Sequence, residues 1–543
     1  MKKKQIVIND WSGGITADFK KTLSDISNTA VSCFPNNLGE YNEGTQINLY
    51  RGGFLGHLST IPSVREWTID SGGTFNLPFA GLYDTRTPYN QDKIFIMVNG
   101  KVAYMDLNGG TVAFPVTGLS TNLTGSLTTY VDTTTSGAAQ TIFVQTETGY
   151  STINGANTQF NNQTPSAFSL AGTYNATGAP IKTIIGPNRQ MYFTNYVSNA
   201  PVLGRYDPTA AGTFATNYSI VETGYFIQDM CTFGNYVAII ANNYKQYGSK
   251  PKLYIWDGQT PSTYLSIFEI EDHIALTIHE ENGSLLITTI GDGLFKIRRY
   301  TGGIVLDTPD FVIDQSLIEP MTASAVQNGT FYNALNYNRI KYVRGMFFIQ
   351  GYDGKVWYLG KPIGGKYRSG LHCIFAPSIS QFNVAGFSYN SAGFIEKNPR
   401  KNQLIIGYRN SSAQAKIAIL DLDSINSNIL SGEIGEYSYF TTNIYEVPPN
   451  STITNITVDF SDFSNPRAGM QLSLYKDYDN TTDYLAGLGK EQVSFTTNGK
   501  LYRYPINVTV NKTDMFYLKL RFASCSIKTI TVEYSYDNLS AEG

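Results

Sequence analysis

Between residues 61 and 440 short apolar runs alternate with turn signals, and the runs have the length and residue types of strands. The punctuation is chemically specific. Asx-Gly dipeptides occur at Asn99-Gly100, Asn108-Gly109, Asn154-Gly155, Asp257-Gly258, Asn282-Gly283, Asp292-Gly293, Asn328-Gly329 and Asp353-Gly354. A two-residue type I′ turn needs positive φ at both central positions, which Asn or Asp followed by Gly supplies. Each pair therefore predicts a β-hairpin, and no segment shows a convincing helical period except a short stretch near residues 18–28.

Two segments read as copies. Ile94-Phe95-Ile96-Met97-Val98 runs into Asn99-Gly100-Lys101-Val102-Ala103-Tyr104, and Gly345-Met346-Phe347-Phe348-Ile349 runs, two residues on, into Asp353-Gly354-Lys355-Val356-Trp357-Tyr358. A fainter copy is Leu285-Leu286-Ile287 with Asp292-Gly293-Leu294-Phe295-Lys296-Ile297. Several other strands close on an apolar-Asp ending: Arg205-Tyr206-Asp207, Tyr254-Ile255-Trp256-Asp257 and Ala418-Ile419-Leu420-Asp421. The separation of the two best copies fits about five or six units of roughly 40–50 residues, the period of a propeller blade. A set of unrelated hairpins in stacked sandwiches is the plainer alternative. The Thr, Ser, Gly and Asn-rich stretch around residues 115–180 interrupts the pattern, as a weak blade or as an insertion.

After Tyr445-Glu446-Val447-Pro448-Pro449 the alternation becomes strict, as in Ile453-Thr454-Asn455-Ile456-Thr457-Val458 and Phe516-Tyr517-Leu518-Lys519-Leu520-Arg521-Phe522. Such strands in the last hundred or so residues predict a β-sandwich of jelly-roll type over 441–543. The first sixty residues have poor periodicity and tight Gly turns, and read as an extended arm. The expectation is thus all-β: an arm over 1–60, a degenerate β-propeller over 61–440, and a C-terminal sandwich.

Composition agrees. The chain carries 38 Tyr, 30 Phe and 50 Gly in 543 residues, and β-branched and aromatic residues suit half-buried pleated surfaces. Only 15% is charged, below the ~25% of ordinary globular chains, which excludes a solvated disordered chain. The net charge of −3 gives no global basic footprint for nucleic acid. The apolar run after Lys2, Lys3 and Lys4 stops within three residues, short of the roughly 7–15 of a secretory signal. No run approaches the ~18 apolar residues of a membrane helix, so synthesis in a cytoplasm is expected. Cys33, Cys231, Cys373 and Cys525 are far apart, which suggests free thiols rather than a zinc site or disulfide framework.

Chemistry-bearing residues do not assemble into a known pattern. His279-Glu280-Glu281 lacks the second histidine of a metalloprotease helix, and His57, His273 and His372 are isolated. Asp477, Asp479 and Asp483 could approach a calcium ion, yet the glycine and distal glutamate of an EF-hand loop are missing. No nucleophile elbow and no paired acid–base constellation are evident, so no catalytic residue, metal or cofactor is expected. The basic segments Lys2–Lys4, Arg298-Arg299 and Lys397 to Lys401 read as solvated surface, or as the lining of a multi-chain lumen.

The opening Trp11-Ser12-Gly13-Gly14-Ile15-Thr16, an Asn-rich stretch, and then Arg51-Gly52-Gly53 resemble the start of bacteriophage tail structural proteins, the nozzle or tubular tail proteins of short-tailed phages. The resemblance covers about 45 residues directly, and the chain is short for a nozzle. It implies a non-enzymatic virion protein of the tail (nozzle, tail-tip or ring component). It also implies a homo-oligomeric ring, sixfold by expectation, around a channel through which DNA passes as cargo. Its partners would be an adaptor, portal-proximal or neighbouring ring subunits. On this reading Trp11, Ser12, Gly13, Gly14, Ile15, Thr16 and Arg51 would dock the chain on its neighbour. Asn99, Gly100, Asp257, Gly258, Asp353 and Gly354 would be hairpin turns. A carbohydrate- or receptor-binding virion protein recognising a host-surface glycan is the alternative, and a propeller glycosidase a more distant one.

Overall fold

A computed structural model describes residues 2–9, 11, 14–15, 40–49, 51, 56–70, 79–83, 93–98, 101–107, 112–113, 123–132, 139–146, 149–154, 161–163, 181–197, 200–207, 213–218, 220–243, 249–305, 311–314, 337–343, 345–351, 354–360, 370–377, 393–398, 400–410, 412, 414–425, 437–463, 469–477, 479, 481–485, 501–504 and 510–537. Among these there is no helix. The expected short helix near 18–28 lies outside them, as do Asn99, Gly100 and Asp353.

Seven four-stranded antiparallel sheets follow one another along the chain. The first consists of Ala80–Tyr83, Lys93–Val98, Lys101–Asp106 and Val112–Ala113. The second, Leu123–Asp132, Ala139–Thr146, Gly149–Asn154 and Asn161–Gln163, occupies the polar stretch that sequence left open between blade and insertion. It is a blade. The third to sixth begin at Thr183–Ile185, Tyr225–Phe233, Ile274–Glu281 and Ile340–Val343. The seventh is composite: Phe394–Asn398, Gln403–Arg409 and Ala415–Ile425 take their outermost neighbour, Pro62–Asp70, from the other end of the repeat region.

First strands pack on first strands. Those of blades one and two, two and three, three and four, and four and five adjoin. Blade six adjoins blade seven, and blade seven adjoins blade one. Blades five and six meet through His279 and Phe347, whose rings are 5.5 Å apart. The chain is therefore a closed β-propeller, and the borrowed strand Pro62–Asp70 ties its two ends together. Glu66 on that strand accepts hydrogen bonds from Tyr408 Oη at 2.5 Å and Lys416 Nζ at 2.8 Å. This radial arrangement leaves only short, protected sheet edges.

The repeat signals acquire positions in this frame. The two copied hairpins are the second and third strands of blades one and six, five blade-steps apart, and the fainter copy holds the same place in blade five. The apolar-Asp endings all fall on third strands: Asp207 ends one, Asp257 directly follows one, and Asp421 lies in the second half of Ala415–Ile425. Asp257 shows why. Its carboxylate accepts the backbone N–H groups of Gln259 and Thr260, both at 2.8 Å, capping the turn that leaves the strand. Asp257-Gly258 is accordingly not a two-residue hairpin: the next strand, Ser266–Glu269, begins after a longer loop. Gly354, with φ of 73°, serves the turn between Met346–Gln350 and Val356–Gly360. Asn282-Gly283 and Asp292-Gly293 do make the expected tight turns, with φ of 49° and 78°, and 57° and 76°.

The remaining strands make one large sheet that folds over itself. Its order is Lys2–Ile8, Cys525–Tyr536, Tyr445–Phe463, Val510–Ala523, Ser438–Thr442, Glu40–Thr45, Gly14–Ile15. Gly469–Lys476 pairs on Val510–Ala523. Tyr445–Phe463 pairs first with Val510–Ala523 and, from Thr452 onward, with Cys525–Tyr536, so it passes from one layer to the other. Alternate residues of the two layers, such as Leu472, Leu520 and Phe522 against Ile456, Ile530 and Val532, bury one apolar core. This is the sandwich.

One expectation changes here. The first sixty residues are not an arm without a core of its own. Lys2–Ile8 pairs along its whole length with Cys525–Tyr536, and Glu40–Thr45 pairs with Ser438–Thr442. Ile8, Trp11, Ile47, Leu49 and Leu58 belong to the sandwich core. The poor periodicity of this region reflects short strands that complete a sheet whose other members lie hundreds of residues away, as Lys2 beside Tyr536 and Tyr41 beside Thr442 show.

Candidate functional site

Propeller proteins commonly offer two places for chemistry, the axis of the ring and the junction with an appended domain. In this chain the axial ends of the first strands carry a polar cluster. Lys182 precedes the first strand of blade three, and its Nζ lies 3.1 Å from Oδ1 of Asp229, on the first strand of blade four. The Asp229 side chain is 1% exposed, and its Oδ2 accepts the Ile278 N–H of blade five at 3.0 Å. On the opposite side Lys341 of blade six donates to Glu396 of blade seven at 2.6 Å.

These are inter-blade clamps. Each couples a cation on one blade to an anion on the next, which satisfies charges whose burial alone would be costly. Burial raises the Glu396 carboxyl above its usual range even though Lys341 opposes the shift. His279, on blade five, is held neutral: burial, then the charges of Lys182 and Lys341, lower its pKa to about 3. Its Nε2 lies 3.1 Å from Thr277 Oγ1.

Tyr337 crosses the ring. It precedes the first strand of blade six, yet its hydroxyl donates to the Ile181 carbonyl beside blade three. The Lys182 ammonium sits 3.8 Å over the Tyr337 ring, a cation–π contact in a desolvated setting. The axis of the single propeller is thus occupied by Tyr337 and Lys182 at this level.

A second buried cluster lies in blade five. Asp272 receives Thr289 Oγ1 and Lys296 Nζ, both at 2.7 Å, and also Arg298 Nε. Burial would raise the Asp272 carboxyl, but the hydrogen bonds from Arg298, Lys296 and Thr289 outweigh it and hold the pKa below the usual value. Arg298 is therefore internal, not the solvated surface that the Arg298-Arg299 pair suggested.

The residues expected to dock the chain on a neighbour fall differently. Trp11 is 1% exposed and packs edge-on against Phe440, centroids 5.3 Å apart. Arg51 is 8% exposed, donates to Ser526 Oγ at 2.9 Å, and pairs with Asp462. Both are spent inside the chain, on the seam between the N-terminal segment and the sandwich, so docking through their side chains is corrected. Gly14 and Ile15 form a two-residue parallel strand against Glu40 and Tyr41. Ser12, Gly13 and Thr16 lie outside the described residues.

The same segment bolts the two domains together, a role that no local signal in the sequence marks. Ile47 N donates to the Cys373 carbonyl of blade six at 2.9 Å, and Asn48 Nδ2 to Leu422 O of blade seven at 2.9 Å. Leu49 N reaches Tyr358 Oη, and Ser438 Oγ joins the Gln46 carbonyl to the Ile61 N–H.

Asp477, Asp479 and Asp483 are likewise engaged with their own surroundings. Asp479 Oδ1 accepts from Thr481 N and Oγ1, Asp477 Oδ1 from Thr513 Oγ1 and Asp514 N, and Asp483 Oδ1 from Leu474 N and Leu485 N. Among the described residues no group of three His, Cys, Asp or Glu side chains could hold a metal ion. Cys373 and Cys525 are buried, and the Cys373 thiol lies 3.6 Å from the Phe375 carbonyl.

No protein-family model matches the chain, and no curated protein matches it. It is similar to solved propeller-containing structures at low identity. The crystal structure of the N-terminal domain of Nup159 is 9% identical, with a TM-score of 0.37 over 66% of this chain and 98% of that one. The mitotic checkpoint complex is 10% identical over 66% and 93%, with the same TM-score. A puromycin-hydrolysing peptidase of Mycobacterium tuberculosis is 10% identical over 68% and 61%, with a TM-score of 0.36. The sheet order of the chain itself defines the fold as an all-β propeller joined to a sandwich.

Proposed function

We propose that the chain is a non-enzymatic structural component of a bacteriophage tail, a nozzle, tail-tip or ring subunit. The observation that supports this reading most is the way the N-terminal segment is used. Glu40–Thr45 extends the sandwich sheet, and Ile47 and Asn48 are hydrogen-bonded to blades six and seven, so the N-terminal segment ties propeller to sandwich. A part that must hold its shape while DNA passes needs such a tie. The buried charged groups of the ring act as clamps between blades, which also suits a load-bearing part.

Two details of the reading shift with the geometry. Trp11 and Arg51 hold the chain's own layers together, so contact with a neighbouring subunit would fall on other surfaces. With Tyr337 across the propeller axis, any DNA conduit would be a lumen enclosed by several copies. Heterologous contacts that close on themselves would build it, with six copies as the expectation.

The test is assembly. Sedimentation and negative-stain imaging of the purified chain, alone and with tail particles lacking it, should give rings or incorporation into tails. A chain that stays monomeric at every concentration and fails to join tail particles overturns the proposal.

A further inference from the structure

The outward side of one sandwich layer carries an ordered array of tyrosines and cations. Phe440, Leu472, Leu474, Leu518, Leu520 and Phe522 point into the core, so the alternate positions of the same three strands face away from it. Register places Tyr439 beside Arg521, and Arg521 beside Gln471. The next row is Thr441, Lys519 and Ser473, and the one after it joins Tyr517 to Tyr475. Successive rows are about 7 Å apart, two residues along a strand.

The rings and the charges are in contact. Tyr475 and Tyr517 stack with centroids 5.0 Å apart and planes inclined by 6°. Lys519 Nζ lies 4.8 Å over Tyr475. The Arg521 guanidinium lies 3.7 Å over Tyr437 and 6.0 Å from the Tyr439 ring. Tyr439 is 48% exposed, and Arg521 is exposed as well.

Neither cation has a carboxylate partner among the described residues; their contacts there are with rings. Asp479, whose charge reaches Tyr517, is committed to Thr481 and Thr482. Two like charges on neighbouring rows of one strand repel, so the face is electrostatically incomplete. A guanidinium presents a planar fork suited to a carboxylate, and an exposed tyrosine offers a flat, amphipathic surface to a ring. Hydroxyl and amide groups of Thr441, Ser473 and Gln471 sit between them. A protein partner would want a more apolar centre.

We propose that this face binds an acidic polysaccharide. Uronic-acid carboxylates pair with Arg521 and Lys519, a sugar ring lies on the exposed Tyr439, and a polymer repeats the charge often enough to engage both cations at once. The site is independent of the tail assignment and survives if that assignment fails.

The test is affinity electrophoresis of the full chain through gels containing polygalacturonate, neutral dextran or polyglutamate. Retardation by polygalacturonate, with little or none by the other two, is expected. Lys519→Gln/Arg521→Gln should reduce that retardation at least tenfold at unchanged melting temperature. Tyr439→Ala, at an exposed site where the fold is tolerant, should reduce it severalfold with both cations intact. Unretarded wild-type protein overturns the proposal, as does a Gln double variant that is retarded like wild type. Equal retardation by polyglutamate also overturns it, and assigns the face to an acidic peptide.

Discussion

Arg51 and Asp462, 411 positions apart, are joined guanidinium to carboxylate, and the same guanidinium holds Ser526. The Arg51 side chain is 10% exposed and that of Asp462 30%. Removing it leaves a half-buried carboxylate and a buried hydroxyl short of a donor. Arg51→Ala should destabilise the chain by about 2–3 kcal/mol, less than a fully buried pair would lose. Arg51→Lys should recover only part of this, because one ammonium cannot reproduce the fork that reaches both acceptors. Urea unfolding of the three proteins checks it, and unchanged midpoints would restore Arg51 to the candidates for intermolecular docking.

Phe394 closes the ring by filling the space left by two glycines. A Cβ on Gly81 of blade one would lie 2.2 Å from the Phe394 ring, and one on Gly407 of blade seven also 2.2 Å. The ring therefore sits at the junction where the last blade meets the first. Gly81→Ala should cost about 1–3 kcal/mol by overpacking. Phe394→Ala should cost about 3–5 kcal/mol by leaving a cavity. The double variant should be less destabilised than the sum, since the new methyl occupies part of the void. Strict additivity in thermal unfolding would show that the two sites do not share that space.

Much of the propeller is written locally in the chain. Strand alternation, Asx-Gly turns such as Asn282-Gly283, and the apolar-Asp endings at Asp207, Asp257 and Asp421 are all short-range chemistry, and each falls at a repeated place in the blade. What is not local is not legible. The borrowing of Pro62–Asp70 by the last blade, and of Lys2–Ile8 by the sandwich, depends on partners hundreds of residues away. Trp11 and Arg51 drew attention because a tryptophan and an arginine beside glycines suit an interface. A tight turn that brings an aromatic into its own core has the same signature. The axial residues Lys182, Asp229, Tyr337, Lys341 and Glu396 gave no signal at all, because each stands alone in sequence and only the ring brings them together.

Asp272 should control the stability of blade five. Its buried carboxylate pairs with two cations, Lys296 and Arg298. Asp272→Asn removes the counter-charge that the two cations share and should cost about 3–5 kcal/mol near neutral pH. Because the folded carboxyl has a lowered pKa, its contribution is present above the unfolded value and is lost as pH falls through the folded one. The wild type should therefore lose stability below about pH 4, and the variant should show a shallower acid limb there. Denaturant titrations at pH 7, 5, 4 and 3 measure both effects. A variant with the wild-type acid limb would assign that limb to other groups.

His279 should set a second, milder acid limb. Its folded pKa is lowered to about 3 from an ordinary 6.5, first by burial and then by the ammonium groups of Lys182 and Lys341. Between those two values the unfolded chain binds a proton at this residue and the folded chain does not, so stability rises with pH across the window and falls as pH drops below 6.5. One proton corresponds to at most about 1.4 kcal/mol per pH unit, and the partly exposed ring should show less. His279→Phe removes the titration and keeps an aromatic against Tyr342 and Phe347, whose rings lie 6.0 and 5.5 Å from the imidazole. Its stability should be flatter than wild type between pH 6.5 and 4.5. Lys182→Met should act in the same direction by another route: with one repelling charge gone, the folded imidazole protonates more readily and the wild-type slope weakens. NMR titration of the His279 ring in the two proteins would reveal the shift, and an unmoved resonance midpoint would separate the ring axis from His279.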